Sequence, residues 1–175
     1  MLQALAFQIG NQVSYTELGQ LTGLNHETIE NYISLLEKAF IIFRLPSFSR
    51  NIRNELKKSR KIYFIDNGIR NAVINQFNVP GLRNDMGALW ENFMVAERIK
   101  YLAYNQINSS CFFWRNHAQN EIDYIEERNG AISAYEFNYG GKKKKFPEVF
   151  LNAYNPVFTE TITPENFEEF IGQPS

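Results

Sequence analysis

The chain has 175 residues, enough for one ordinary domain or for two small ones with modest cores. Hydrophobic residues make up 44% of it and aromatic residues 15%, so the chain has apolar surface to bury and is not a disordered polymer. A single cysteine, Cys111, excludes an internal disulfide, and the sequence has neither a spanning apolar run nor a signal peptide. These features predict a cytoplasmic protein that does not enter a membrane.

The first part of the chain, residues 1–77, is predicted to hold three helices followed by two strands. A helix over residues 1–9 precedes a capping-box spacing at Ser14, which starts a second helix that ends near Gly23. Asn25 caps a third helix, whose apolar residues recur at helical spacing and predict one buried face: Ile29, Tyr32, Ile33, Leu36 and Phe40. Two β-type runs follow, over residues 41–45 and 61–65. This order favours a winged helix-turn-helix.

A dense basic run lies between and beside the two predicted wing strands. Its candidate nucleic-acid-binding residues are Arg50, Arg53, Lys57, Lys58, Arg60 and Lys61. The third helix is expected to point Glu30 and Glu37 outward, and these acids oppose contact between that helix and a phosphate backbone. Two interpretations stay open: the basic run binds phosphates, or the winged helix packs against protein.

A second domain is predicted over residues 84–172, after a break at Asn78 to Gly81. It begins with a helix over residues 86–104, followed by a buried strand at 111–115 and then a hairpin. Residues 147–154 are expected to form a helix, residues 157–162 a strand, and residues 163–171 a last helix. This order indicates an α/β sandwich.

The hairpin is predicted by Asn129-Gly130, which lies between two β-type runs. A two-residue turn there places Arg128 opposite Ala131, and counting back places Asp123 opposite Glu136 and Glu121 opposite Asn138. Like charges directly opposed in this way destabilise a sheet. A divalent cation, a Lys or Arg from elsewhere in the chain, or a raised carboxyl pKa would each relieve the repulsion, and the sequence leaves all three open.

Four short motifs, in this order along the chain, resemble a known family. They are Gly87 to Phe93 (GALWENF), Phe113 to Arg115 (FWR), Glu121 to Tyr124 (EIDY) and Tyr135 to Asn138 (YEFN). In the PD-(D/E)XK nuclease-like fold, a restriction-endonuclease-like α/β sandwich with a mixed central sheet, an acid is followed after about a dozen residues by Glu-x-Lys. Asp123 followed by Glu136-Phe137-Asn138 resembles this pattern. The four motifs together are similar to the C-terminal nuclease-like domain of predicted bacterial and archaeal AAA-type ATPases. In that family an ATPase domain is followed by a winged helix and then by this domain.

The resemblance implies a degenerate catalytic site built from Glu91 on the helix and from Asp123, Glu136 and Asn138 on the hairpin. Asp123 and Glu136 would be the Mg²⁺ ligands if the site is active. Asn138 stands where the family has lysine, so the site lacks an ammonium group unless a nearby loop replaces it. That loop is also a candidate phosphate-binding segment: Lys142, Lys143, Lys144 and Lys145.

Two functions remain as expectations. The first is a non-catalytic C-terminal module of a predicted AAA-type ATPase, which binds DNA or a protein partner through the winged helix and the degenerate nuclease-like domain. The second is a Mg²⁺-dependent DNA nuclease with its lysine replaced by Asn138. The chain has no G-x-x-x-x-G-K-[ST] motif, so ATP would bind only to an ATPase domain elsewhere in the parent protein.

Overall fold

The structure, a computed structural model, describes residues 1–50 and 60–172 and divides the chain into two compact units. Of the described residues, 1–45 and 60–96 belong to the first unit, and 46–50 and 97–172 belong to the second. The first unit extends beyond the predicted break at 77–84 because buried Asn92 pairs with the backbone of Phe64, to which it donates at 2.9 Å and from which it accepts at 2.7 Å. Within these residues, no helix has the length and apolar character needed to cross a bilayer.

The first unit contains the predicted succession of helices and strands. Its elements are α1 (Leu2–Phe7), α2 (Tyr15–Thr22), α3 (His26–Lys38), β1 (Ile42–Pro46), β2 (Arg60–Phe64), α4 (Asn67–Val73), a 3-10 turn (Pro80–Leu82) and α5 (Met86–Tyr104), whose last residues enter the second unit. Both predicted helix starts are confirmed: the Ser14 hydroxyl accepts from the Glu17 amide at 3.3 Å, and Asn25 Oδ1 accepts from the Thr28 amide at 2.9 Å. Strands β1 and β2 form a two-stranded sheet.

The buried face of α3 is narrower than its periodicity predicts. Ile29 and Ile33 are fully buried, but Tyr32 is 49% exposed and Phe40 is 77% exposed. Phe40 departs from the pattern because α3 ends at Lys38 and Phe40 has left-handed backbone angles, with φ 55°. Tyr32 lies at the edge of the buried face, and Ile29 and Ile33 lie at its centre. The exposed side of α3 therefore carries more apolar surface than expected.

Glu30 and Glu37, the helix acids expected to oppose a phosphate backbone, are partly exposed but paired. Both carboxylates accept from Arg44 on β1, with Arg44 Nη1 2.5 Å from Glu30 Oε1 and Arg44 Nε 2.9 Å from Glu37 Oε1. Arg60 adds a weaker contact, 3.5 Å from Glu30 Oε2. Because a long arginine side chain reaches back over the helix, these acids are neutralised inside the unit.

The second unit is built on a four-stranded mixed sheet, which confirms the mixed α/β class. Its elements are β3 (Ser110–Arg115), β4 (Glu121–Arg128), β5 (Ala131–Phe137), α6 (Glu148–Tyr154), β6 (Phe158–Ile162) and α7 (Phe167–Phe170). The strands lie in the order β3-β4-β5-β6, antiparallel except for the parallel pair β5-β6. Helix α7 is shorter than predicted because Asn166 Oδ1 accepts from the Thr163 amide at 2.7 Å, which closes a turn before the helix.

The hairpin has the predicted register. Arg128 faces Ala131 and Tyr124 faces Tyr135, and the turn residues Asn129 and Gly130 have φ 52° and 80°. Two successive positive φ values are what a tight two-residue hairpin turn requires, and Asn and Gly tolerate them best. This register places every side chain of the two strands on a defined face of the sheet.

We expect Gly130→Ala to lower the free energy of unfolding by about 1 kcal/mol, because an L side chain at this φ is strained. Gly81→Ala is the matched control, since a Cβ at either position meets nothing within 4 Å and only Gly130 has a left-handed φ. Urea denaturation followed by circular dichroism compares the two variants. Equal losses of unfolding free energy in the two variants would mean that the left-handed φ of Gly130 does not contribute to the stability of the hairpin.

Candidate functional site

The hairpin register brings Asp123 and Glu136 to the same place on the sheet. Tyr124 faces Tyr135, so the next position along each strand sets Asp123 against Glu136. Both side chains are buried, and Lys144 from the following loop joins them: its Nζ lies 2.8 Å from Asp123 Oδ2 and 2.8 Å from Glu136 Oε2. The cation that the opposed acids require is therefore supplied by the chain itself.

Local hydrogen bonds shape the loop that carries Lys144. Asn138 Oδ1 accepts from the Gly140 amide at 2.9 Å, and Asn138 Nδ2 donates to the Lys142 carbonyl at 2.6 Å. The Lys144 amide donates to the hydroxyl of Thr161 on β6 at 3.0 Å. Asn138 therefore shapes the loop that carries Lys144. In the resembling family the residue at the position of Asn138 is itself a lysine.

The electrostatics of this triad follow from burial and from the short separation between the acids. Burial, reinforced by the neighbouring Asp123 charge, raises the pKa of Glu136 to about 8, although Lys144 acts in the opposite direction. The two carboxylates raise the pKa of Lys144 above its ordinary value against the effect of its own burial. Asp123 Oδ2 also accepts from the Phe137 amide at 2.9 Å. Near pH 7 the proton therefore resides on Glu136, and the triad is close to neutral.

Glu91, the helix acid that the family resemblance implies for this site, lies in the first unit. Its Oε1 accepts from Lys61 Nζ at 2.8 Å and from the Tyr63 hydroxyl at 2.7 Å. Lys61 is 1% exposed, so the Glu91 carboxylate is a counter-ion for a buried ammonium. This pairing fixes helix α5 on strand β2.

The basic residues predicted to bind nucleic acid differ in their surroundings. Arg60 and Lys61 are paired within the first unit, whereas Arg50 is exposed; Arg53, Lys57 and Lys58 lie outside the described residues. In the second unit Lys145 pairs with exposed Glu148 at 3.2 Å, and Lys144 belongs to the triad. Lys142 and Lys143 are exposed, and neither forms an ion pair within residues 1–50 and 60–172.

The triad as arranged does not fit a divalent metal ion. A cation such as Mg²⁺ binds carboxylate oxygens, and both inward oxygens are already in contact with an ammonium group. In the described part of the chain no group of three or more His, Cys, Asp or Glu side chains is arranged to hold a metal. A metal here would have to displace Lys144 and remove the proton from Glu136.

Sequence reasoning identified Asp123 and Glu136 from the Asn-Gly turn but did not identify which loop lysine meets them. It also missed Thr161, which holds the Lys144 backbone. The signal for the loop was present in Asn138-Tyr139-Gly140-Gly141, a turn-forming sequence that directs the chain back over the strand.

Two protein families match successive parts of the chain. Residues 1–79 match a domain of unknown function, DUF8612, and residues 86–166 match another, DUF4143. The uncharacterized proteins Mb2031c of Mycobacterium bovis and Rv2008c of Mycobacterium tuberculosis are each 26% identical to this chain over 134 residues. That alignment covers 75% of this chain and 30% of either relative, so the chain spans less than a third of the length of the curated relatives it matches. No solved structure is significantly similar to it.

Proposed function

We propose that this chain is a non-catalytic module of a larger AAA-type ATPase, in which a winged helix and a degenerate PD-(D/E)XK nuclease-like domain bind nucleic acid. The observation that carries the non-catalytic part is the triad: the Lys144 ammonium lies 2.8 Å from each of the two carboxylates that would hold a metal. Its position makes the two acids and Lys144 one internally paired, structural cluster.

The charge state of the triad supports the same conclusion. With the pKa of Glu136 raised to about 8, one carboxyl of the pair is protonated at neutral pH. Hydrolysis of a phosphodiester assisted by Mg²⁺ needs ionised carboxylates to hold the ion and charge to stabilise the transition state. In this triad one carboxyl is protonated and both acids contact the Lys144 ammonium, so the pair does not hold a metal ion without rearrangement.

Exposed lysines beside the triad support binding to phosphates. Lys142 and Lys143 follow Gly140-Gly141 on the loop that Asn138 folds, and both side chains are exposed. Ammonium groups held on a surface loop contact phosphates without reading bases. In the first unit Arg44 is neutralised by Glu30 and Glu37, and buried Lys61 by Glu91, so its described surface contributes less to phosphate binding.

The first unit instead offers apolar surface on α3. Leu35 is 60% exposed and Tyr32 is 49% exposed, and Phe40, two residues beyond the end of the helix, is 77% exposed. Such side chains suit contact with protein. A partner protein is therefore the alternative ligand of the module. A failure to bind nucleic acid would favour this alternative.

We expect the intact chain to bind a DNA duplex with an affinity that falls about tenfold or more between low and moderate salt. Replacing Lys142 and Lys143 together with glutamine should weaken binding at every sequence tested and reduce the slope of log K against log salt by about two. Fluorescence anisotropy over a salt series measures both. The matched control replaces the same two lysines with arginine, which keeps the charge and should keep the slope. Absent or salt-independent binding would contradict the nucleic-acid proposal and leave the protein partner.

A Mg²⁺-dependent nuclease is the second candidate, because one observation favours it. Lys144 places an ammonium group beside Asp123 and Glu136, as the lysine missing from position 138 would in the resembling family. An ammonium group there can orient a water molecule and stabilise developing charge. The two candidates make opposite predictions for metal binding by the unmodified chain.

A further inference from the structure

A second polar site lies on the opposite face of the hairpin from the triad. Side chains alternate along a strand, so Glu126 and Arg128 on β4, with Ser133 and Tyr135 on β5, point away from the face that carries Asp123 and Glu136. With Arg98 and Asn129 they line a cavity of about 390 Å³, entirely within the second unit. A cavity of this size is in the range of small-molecule sites.

One side of this cavity is a rigid, buried ion pair. Arg98 Nε lies 2.6 Å from Glu126 Oε1, and Arg98 Nη1 donates to the Phe170 carbonyl at 2.5 Å. The guanidinium carbon also lies 5.2 Å and 5.0 Å from the ring centroids of Tyr101 and Phe170. These contacts fix Arg98, and its charge is balanced by Glu126.

The other side of the cavity holds a cation whose hydrogen-bonding capacity is largely unused. Arg128 is 46% exposed at its side chain, and its Nη2 is 3.8 Å from Glu126 Oε2, too far for a hydrogen bond. Within the described residues, neither the Arg128 side chain nor the side-chain amide of Asn129 at the turn makes a hydrogen bond. Because Glu126 already balances Arg98, Arg128 leaves the cavity with one net positive charge.

The remaining polar groups point to the shape of the ligand. The guanidinium of Arg128, the side-chain amide of Asn129 and the hydroxyl of Tyr135, which accepts a hydrogen bond from Ser133, come from two strands and the turn between them. Such donors surround an anion from several directions, which suits a tetrahedral oxyanion better than a planar carboxylate. Guanidinium groups bind phosphate through paired charge-assisted hydrogen bonds.

We propose that this cavity binds a phosphate group, with Arg128 as its principal contact and the Arg98–Glu126 pair as its fixed wall. The phosphate is either the free ion or the head of a small phosphate monoester. This site is separate from the triad and from the lysine loop, so it does not depend on the function proposed for them.

Calorimetric titration of inorganic phosphate into the intact chain, at constant ionic strength, tests the proposal. We expect saturable binding at one site and a loss of about tenfold or more in Arg128→Gln, which corresponds to about 1.4 kcal/mol for charge-assisted hydrogen bonds. Arg115→Gln is the matched control, because it removes the same guanidinium charge from an exposed position of the same unit. It should change the affinity by less than about twofold, in keeping with a remote, screened charge.

Two further ligands define the chemistry. Glycerol 3-phosphate should bind more tightly than inorganic phosphate if a monoester is the ligand, and equally if the free ion is. Acetate should not compete at equal concentration. Absence of saturable phosphate binding at tens of millimolar, equal losses in Arg128→Gln and Arg115→Gln, or equal competition by acetate would each overturn the proposal. Unchanged circular dichroism of Arg128→Gln confirms that the fold persists.

Discussion

Replacing Arg98 with methionine is expected to lower the free energy of unfolding by about 3 kcal/mol, because it leaves buried Glu126 without its hydrogen-bonded partner and only Arg128, 3.8 Å away, as a counter-ion. Glu126 is 5% exposed, and Arg98 donates to both of its oxygens, at 2.6 Å and 3.1 Å. Methionine keeps an apolar side chain against Tyr101 and Phe170, so the substitution chiefly removes the charge. Urea denaturation at pH 7.5 measures the loss.

The double variant Arg98→Met with Glu126→Gln separates charge from packing. Removing the unpaired carboxylate should restore most of the lost stability, which a double-mutant cycle reports as a coupling energy. A deficit that is the same in both variants would show that Arg98 stabilises the unit through its contacts with Tyr101 and Phe170 rather than through Glu126.

The parts of the structure that local geometry determines could be predicted from the sequence. Asn129-Gly130 favours one turn type, that turn fixes one register, and the register alone sets Asp123 against Glu136. Ser14 and Asn25 likewise set the starts of α2 and α3 because their side chains satisfy amides only three residues away. In these cases the partner is close along the chain, so no tertiary information is needed.

Contacts made by long side chains could not be predicted in the same way. Arg44 reaches Glu30 and Glu37 across 14 and 7 positions of sequence, and Lys144 reaches back 21 positions to Asp123. Periodicity gives the direction in which a Cβ points, but it does not give the reach of a lysine or arginine side chain. The sequence therefore did not show that the helix acids are paired, and it left open which of three means relieves the repulsion between Asp123 and Glu136.

Replacing Lys144 with glutamine is expected to reverse that compensation. At pH 8 it should lower the free energy of unfolding by about 1–3 kcal/mol, less than for a fully buried pair because the Lys144 side chain is 39% exposed and screened by water. Lys145→Gln is the matched control, since its side chain is 85% exposed and its partner Glu148 is 76% exposed. That control should change stability by no more than a few tenths of a kcal/mol.

The pH dependence of stability has a definite sign. The pKa of Glu136 is raised from 4.5 to about 8 in the folded chain, so its contribution to stability is fully present below about pH 4.5 and is lost as the pH rises through about 8. The unfolding free energy of the native chain should therefore decline over this range, and Glu136→Gln should remove that decline. Lys144 opposes the rise in the pKa of Glu136. The loss of stability in Lys144→Gln should therefore be smallest near pH 5, where Glu136 is protonated in both the native chain and the variant. An equal loss at pH 5 and pH 8 would contradict the proton assignment.

The same variant decides between a binding module and a nuclease. If Lys144 occupies the place of a metal, the native chain should show no saturable heat with Mn²⁺ or Mg²⁺, while Lys144→Gln, which frees both carboxylates, should bind Mn²⁺ at pH 8. Binding of the metal there must release the proton of Glu136, because the pKa of that carboxyl is about 8 even with Lys144 present. Adding Asp123→Ala to Lys144→Gln should abolish the binding, since one carboxylate is too few to hold a hard cation. Metal binding by the native chain that Asp123→Ala removes would instead favour the nuclease. In that case Lys144 would act as its ammonium group, and Lys144→Gln should abolish cleavage of DNA while sparing metal affinity.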